Sequence, residues 1–124
     1  MQSAIGRMRA RGSARSGVGH WKAQRVTAII NLVLVLWFVV QVVGMAGAGH
    51  AEWTVWFQSQ VNASLMVVLV LSTFYHVRLG VQVAIEDYVH HEGIKVASLL
   101  ALTLACAVLA SSCVVSILML VTGA

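Results

Sequence analysis

The sequence predicts an all-α integral membrane protein with three transmembrane helices. Three observations support this fold class. The chain of 124 residues is 60% hydrophobic and only 10% charged, a composition that a bilayer accommodates and a small water-soluble domain does not. It has no proline, and its apolar residues fall into three long runs separated by polar segments. Six of the eight Lys and Arg residues lie in the first 25 positions, beside the first apolar run.

The N-terminal segment combines a basic stretch with the first predicted span. Residues 1–19 are rich in Gly, Ser, Ala and Arg without an apolar period, so we predict a basic, flexible arm before a membrane domain over 20–124. The first span is predicted over 24–44, and Asn31 within it should face a neighbouring helix. A basic arm is also compatible with nucleic acid, but beside an apolar helix it favours a topology signal that keeps the N-terminus inside.

The second and third spans are predicted over 56–85 and 94–121. A glycine-rich turn on the outer side precedes the second span, with Trp53, Trp56 and Phe57 as an aromatic belt. The polar stretch 85–93 between the two spans is predicted at the inner surface. Two cysteines, Cys106 and Cys113, share the third span, but about 10 Å of helix rise separates them, so we expect no disulfide.

The second span carries the candidate cofactor ligand. At about 100° per residue, Gly80, Val83 and Asp87 all lie within about 40° of His76, so the four residues form one stripe. An imidazole at membrane depth can bind haem iron, and Gly80 one turn later leaves room for a porphyrin. The alternative is a histidine hydrogen-bonded to a neighbouring helix. The other histidines lie at or outside the interfaces, so a second axial ligand would have to come from another subunit.

Asp87 and Tyr88 form the second candidate site, at the inner boundary. A phenol that hydrogen-bonds a quinone carbonyl, next to a carboxylate that helps to deliver protons, suits two-electron quinone reduction. The alternative is an ordinary pair of interfacial residues at a helix end.

Two motifs resemble the smaller membrane-anchor subunit of the succinate dehydrogenase family (respiratory complex II), in its alpha-proteobacterial and mitochondrial branch. One motif is the stretch from His76 through RLG to IEDYVH, which ends at His90. The other joins Gly19-His20-Trp21 to Gln24-Arg25-Val-Thr-Ala-Ile. The resemblance covers the chain from about His20 to Lys95, and the third span adds only its hydropathy.

The resemblance implies a role for each matched residue. It makes His76 an axial ligand of haem b, shared with the larger cytochrome b anchor subunit. It makes Tyr88 the tyrosine that hydrogen-bonds ubiquinone, with Asp87 supporting proton delivery. Arg25 would approach a haem propionate, and the same inner edge would include His20 and Trp21. Arg78 replaces an apolar residue of some relatives and receives no role.

The same resemblance implies the setting in which the chain works. The three spans would be part of a heteromeric helical bundle in a bacterial cytoplasmic membrane or a mitochondrial inner membrane. The bundle would dock flavoprotein and iron–sulfur subunits, which alone hold FAD and the clusters. The chain would have no catalytic residue of its own, and we expect no nucleic-acid partner. Two alternatives are a fumarate reductase anchor and a cofactor-free structural or assembly subunit.

Overall fold

The computed structural model describes the backbone of residues 4–123 and the side chains of residues 18–123, and this part of the chain is helical without strands. The helices are α1 (Ala4–Gly44), α2 (His50–Gln58), α3 (Gln60–Tyr88) and α4 (Glu92–Thr122). Three segments are long and apolar enough to cross a bilayer: Val18–Gly44, Gln60–Tyr88 and Glu92–Thr122. The predicted all-α fold with three membrane spans is therefore confirmed.

The second membrane helix begins later than the sequence predicts. Residues 56–58 belong to the separate helix α2, and Ser59 breaks the chain direction with φ −66° and ψ 124° before α3 begins at Gln60. The break leaves the Trp56 carbonyl to accept hydrogen bonds from the Ser59 N–H at 3.3 Å and the Asn62 side chain at 3.1 Å. These partners replace the intrahelical bonds that a continuous helix would make.

The ends of the other helices also differ from the predicted ones. Helix α3 continues to Tyr88, three residues past the predicted end, and α4 covers 92–122. Helix α1 begins at Ala4, so the backbone of most of the predicted arm is helical. The flexibility of that arm stays a prediction.

The three long helices form an open layer with α3 in the middle. Helix α3 packs against α1 on one side and α4 on the other, while α1 and α4 do not meet within the described part of the chain. Both neighbours run antiparallel to α3. The start of α1, the end of α3 and the start of α4 therefore share one end of the layer, which we call the basic end because Lys22, Arg25 and Lys95 lie there.

Polar residues on one side of α1 hold it to its neighbours. Asn31 accepts a hydrogen bond from Thr73 on α3 at 3.4 Å, which agrees with the prediction that it faces another helix. Gln41 accepts one from the Trp56 indole on α2 at 3.0 Å. Leu34 is buried between these two levels. Asn31, Leu34 and Gln41 follow one another at spacings of three and seven residues, which puts their side chains on one face of the helix.

An aromatic cluster closes the end of the layer opposite the basic end. The Trp56 ring is 8% exposed and contacts Trp37 on α1 at a centroid distance of 5.7 Å. It also meets Trp53 at 5.5 Å and Phe57 at 4.9 Å, both edge-on. The predicted lipid-facing belt is therefore in part a packed cluster, in which Trp56 ties α2 to α1.

Most of the remaining apolar surface is uncovered. Few large side chains are buried, among them Leu69 and Leu79 on α3 and Ile117 on α4, whereas both outer helices expose rows of Val and Leu. Cys106 and Cys113 are free thiols on α4, as expected. Because lipid is as apolar as these side chains, exposure on this scale suits a membrane subunit.

Candidate functional site

The predicted haem ligand His76 faces α1. Its Nδ1 lies 2.9 Å from the Thr27 hydroxyl, across the contact between α3 and α1. His76 is half-buried, and its other ring nitrogen, Nε2, makes no hydrogen bond within residues 18–123. The sequence analysis gave a hydrogen bond to a neighbouring helix as the alternative to haem ligation. That hydrogen bond is present, and it leaves the other ring nitrogen without a partner among the described side chains.

Thr27 lies at the centre of this contact. It is 7% exposed, and its hydroxyl donates to the Ala23 carbonyl at 2.7 Å, with the Gln24 carbonyl at 3.2 Å. Its own carbonyl accepts a hydrogen bond from Ser72 at 3.4 Å. A threonine hydroxyl that bonds back to the carbonyl four residues earlier is common in helices, and here the same oxygen also meets a histidine.

Gly80, one turn below His76, lies against Gln24 of α1. A Cβ at Gly80 would stand 3.7 Å from Gln24 Nε2, an ordinary van der Waals distance. The space beside Gly80, which we predicted to leave room for a porphyrin, is therefore occupied by the flexible amide side chain of Gln24. Gln24 Oε1 is buried without a hydrogen-bond partner, so little holds this amide in place.

The basic end of α1 carries the other predicted haem-edge residues. Arg25 stacks over the Trp21 ring at 5.2 Å from its centroid, and both side chains are exposed, Trp21 at 57%. Since Arg25 is about 160° around the helix from Thr27, this pair points away from α3. His20 shares the Thr27 side and is half-buried. The chain alone therefore brings His20, but not Arg25 or Trp21, to the face that meets α3.

Asp87 and Tyr88 occupy the last turn of α3. Helix α3 is unbroken from His76 to Asp87, so the predicted stripe forms, about 16 Å long by helix rise. Both side chains are exposed, Tyr88 at 83%. Tyr88 is about 120° from His76 around the helix, so it leaves the stripe on which Asp87 lies. Neither residue contacts His76.

Arg78 lies on the α4 side of α3. Its Nε donates to Thr103 at 3.3 Å and its Nη1 to Gln82 at 3.2 Å, and Gln82 in turn donates to Glu86 at 3.1 Å. Arg78 is about 160° from His76 around α3. It therefore links α3 to α4 and faces away from the histidine.

Sequence reasoning assigned no role to Thr27 and Gln24, which surround His76 and Gly80. Thr27 is a polar residue inside an apolar run, at the i, i+4 spacing from Asn31, and this pattern marks a polar side of a membrane helix. The signal for Gln24 is its position one turn before Thr27.

The candidate site consists of separate side chains that could each act as a ligand or a hydrogen-bond donor, and not of a ligand cluster. Among the described residues there is no group of three or more His, Cys, Asp or Glu side chains that could hold a metal ion. One imidazole nitrogen, Nε2 of His76, has no hydrogen-bond partner within residues 18–123. Asp87 and Tyr88 add a carboxylate and a phenol at the end of the second candidate span.

Fold and site together define a multi-pass membrane protein with a histidine at the contact between two of its spans. The model of the succinate dehydrogenase/fumarate reductase transmembrane subunit family matches residues 1–111. The chain belongs to this family, which confirms the resemblance of the two motifs.

Curated relatives agree with this assignment. The succinate dehydrogenase hydrophobic membrane anchor subunit of Rickettsia bellii is 35% identical over 63% of this chain. The match covers 62% of that relative, so it falls short of two thirds of its length. The same subunit of Rickettsia conorii is 30% identical over 78% of each chain. The succinate dehydrogenase membrane anchor subunit of Reclinomonas americana is 30% identical over 68% of this chain and 73% of its own.

Proposed function

We propose that this chain is the smaller membrane anchor of a succinate:ubiquinone oxidoreductase, in which it supplies one haem b ligand and part of the ubiquinone site. The observation that carries the proposal is the state of His76, whose Nδ1 contacts the Thr27 hydroxyl while its Nε2 makes no hydrogen bond within residues 18–123. The names of the relatives support succinate oxidation over the reverse reaction.

The residues around His76 fit a b-type haem. A metal-bound histidine usually donates its other ring N–H to an oxygen, and Thr27 offers one at 2.9 Å. Gln24 is flexible and carries an unpartnered oxygen, so it can move from Gly80 at small cost. Haem would supply one-electron storage between the clusters and the quinone. His76 would hold its iron, and Arg25 would meet a propionate after assembly brings the haem edge to the exposed side of α1.

Tyr88 and Asp87 are proposed to serve the quinone. The exposed phenol of Tyr88 can donate a hydrogen bond to a quinone carbonyl, which orients the ring and favours electron uptake there. Asp87 is exposed on the same turn and can pass protons from water. His20 and Trp21 are proposed to line the same edge.

The basic end is proposed to face the cytoplasm or the matrix. In sequence, every Lys and Arg except Arg78 precedes or lies beside this end, and the segment 45–59 at the opposite end, which includes α2, has none. This asymmetry favours an inside position for the basic end. The flavoprotein and iron–sulfur subunits would dock there, with the larger anchor subunit along the exposed faces of the layer.

The test of this proposal is an absorption spectrum of the affinity-purified assembly with its subunits identified. We expect the bands of a reduced b-type haem, and we expect His76→Ala to remove them. An assembly that contains the dehydrogenase subunits but lacks the b-type haem bands would be consistent with the anchor role and would overturn the haem role. A colourless assembly without dehydrogenase subunits would favour the structural or assembly alternative.

The quinone role has a separate test. Tyr88→Phe should depress succinate–quinone reductase activity, because the hydroxyl is lost, while reduction of an artificial dye by the dehydrogenase subunits survives. An equal loss of both activities would indicate a defect of assembly and contradict the role given to Tyr88.

A further inference from the structure

We infer that Thr27 is the positioning residue of His76: its hydroxyl oxygen accepts a hydrogen bond from the Nδ1–H group and so turns the Nε2 lone pair toward the haem iron. This inference rests on the haem ligation proposed above and adds a residue on α1 to it.

The count of protons assigns the tautomer. The Thr27 hydroxyl has one proton, and its shortest contact, 2.7 Å, is with the Ala23 carbonyl, which can only accept. The Gln24 carbonyl at 3.2 Å is also an acceptor. The hydroxyl proton is therefore committed to the α1 backbone, and the contact of 2.9 Å with His76 needs a proton on Nδ1. A neutral imidazole with its proton on Nδ1 has its lone pair on Nε2.

The surroundings of Thr27 hold this geometry. The side chain is 7% exposed, so competing donors have little access to its oxygen. The approach of Gly80 to Gln24 lies beside it on the same α1–α3 contact. Ser72 adds a bond to the Thr27 carbonyl. The α1–α3 register thus fixes where the oxygen stands relative to the imidazole.

This hydrogen bond should tune the iron as well as orient its ligand. An N–H that donates from Nδ1 increases the electron density that Nε2 gives to the metal, which favours the ferric state. Without an acceptor at Thr27, the imidazole donates less, and the ring is free to rotate or change tautomer. The haem midpoint potential should then shift in the positive direction.

The experiment compares three variants in the purified, detergent-solubilised complex. Thr27→Val keeps the branched shape and removes the acceptor, and Thr27→Ser keeps the hydroxyl. Thr73→Val is the matched control, because it removes another α1–α3 hydrogen bond without touching His76. The readouts are the haem content per complex, the EPR spectrum of the ferric haem and its midpoint potential by redox titration.

We expect Thr27→Val to shift the potential positively and to move the EPR signal, while Thr27→Ser and Thr73→Val keep wild-type values. Should Thr27→Val fail to assemble, Thr27→Ala removes the same acceptor with less crowding and should give the same shift. A wild-type potential and EPR signal in both acceptor-free variants would overturn the inference. An equal shift in Thr73→Val would also overturn it, because the effect would then follow helix packing.

The outcomes for the two proposals are distinguishable. A wild-type assembly without b-type haem bands overturns haem ligation and the role of Thr27 together. A haem that His76→Ala removes, combined with an unchanged potential in Thr27→Val and Thr27→Ala, overturns only the role of Thr27.

Discussion

The indole of Trp56 is the best place to test how the layer is held together away from the candidate site. Its ring is 8% exposed, contacts three other aromatic rings and donates to Gln41 at 3.0 Å. Trp56→Phe keeps an aromatic ring but deletes the N–H. The expected loss of stability is about 1 kcal/mol, since interhelical hydrogen bonds in membrane proteins contribute about 0.6 kcal/mol on average and seldom above 2.

Trp56→Leu removes the aromatic contacts as well. Each aromatic pair contributes about 0.5–1.5 kcal/mol beyond its buried area, so three pairs and the hydrogen bond amount to about 2–5 kcal/mol. The assay is SDS titration of the detergent-solubilised complex, followed by the release of this subunit. Trp53→Phe is the matched control for Trp56→Phe, because it makes the same change of side chain at an indole that donates no hydrogen bond within residues 18–123.

A double-mutant cycle isolates the hydrogen bond. Gln41→Met removes the acceptor at similar length, and the cycle with Trp56→Phe should give a coupling of about 0.5–1 kcal/mol. A coupling near zero would refute the reasoning about the hydrogen bond. If Trp56→Leu cost no more than Trp56→Phe, the ring contacts would carry no stabilisation and the account of the cluster would be wrong.

Three further predictions concern Gly80, Arg78 and the orientation of the chain in the membrane. Gly80→Ala should leave the complex as stable as wild type or up to about 1 kcal/mol more stable, because alanine favours the helix and its Cβ meets Gln24 at an ordinary distance. Gly80→Leu should lower the haem-to-protein ratio, because the larger side chain occupies the space proposed for the porphyrin. Thermal unfolding checks the first variant and a haem assay the second, and a wild-type haem-to-protein ratio in Gly80→Leu would contradict the proposed haem site. Arg78→Gln should retain haem and its spectrum, because Arg78 faces Thr103 on α4, and loss of the haem bands would show that this assignment is wrong. In a background without Cys106 and Cys113, Ser59→Cys should react with an impermeant thiol reagent in intact cells and His90→Cys only after permeabilisation; the reverse pattern would invert the proposed topology.

The sequence predicts the features of this fold that depend on hydropathy and periodicity. The three spans and the unbroken stripe from His76 to Asp87 need only apolar runs and 3.6 residues per turn, and both are present. The separate helix α2 was missed, because its aromatic residues also suit a lipid-facing belt. What distinguishes the two cases is the acceptor Gln41 on another helix, a tertiary contact that no local pattern contains.

The candidate site was predictable in its residue types and only partly in its geometry. His76 stands out as an ionisable residue in an apolar run. Its partner Thr27 was visible as a polar residue in the first span, but pairing the two requires the register between α1 and α3. Arg25 and Trp21 point away from that contact, since one helix cannot present residues about 160° apart to the same neighbour. The resemblance to a family assigned roles to these residues without placing them relative to α3.

The open layer also affects how this chain can join a complex. In a closed three-helix bundle, an incoming helix would have to displace contacts between the outer helices before it reached the middle one. Here α1 and α4 do not meet within the described residues, so the two outer helices make no contact that an incoming helix would have to break. In the proposed anchor role, a second anchor subunit would add its helices to this layer without first separating α1 from α4, so assembly would be an addition to the existing contacts between the long helices and not an exchange of them.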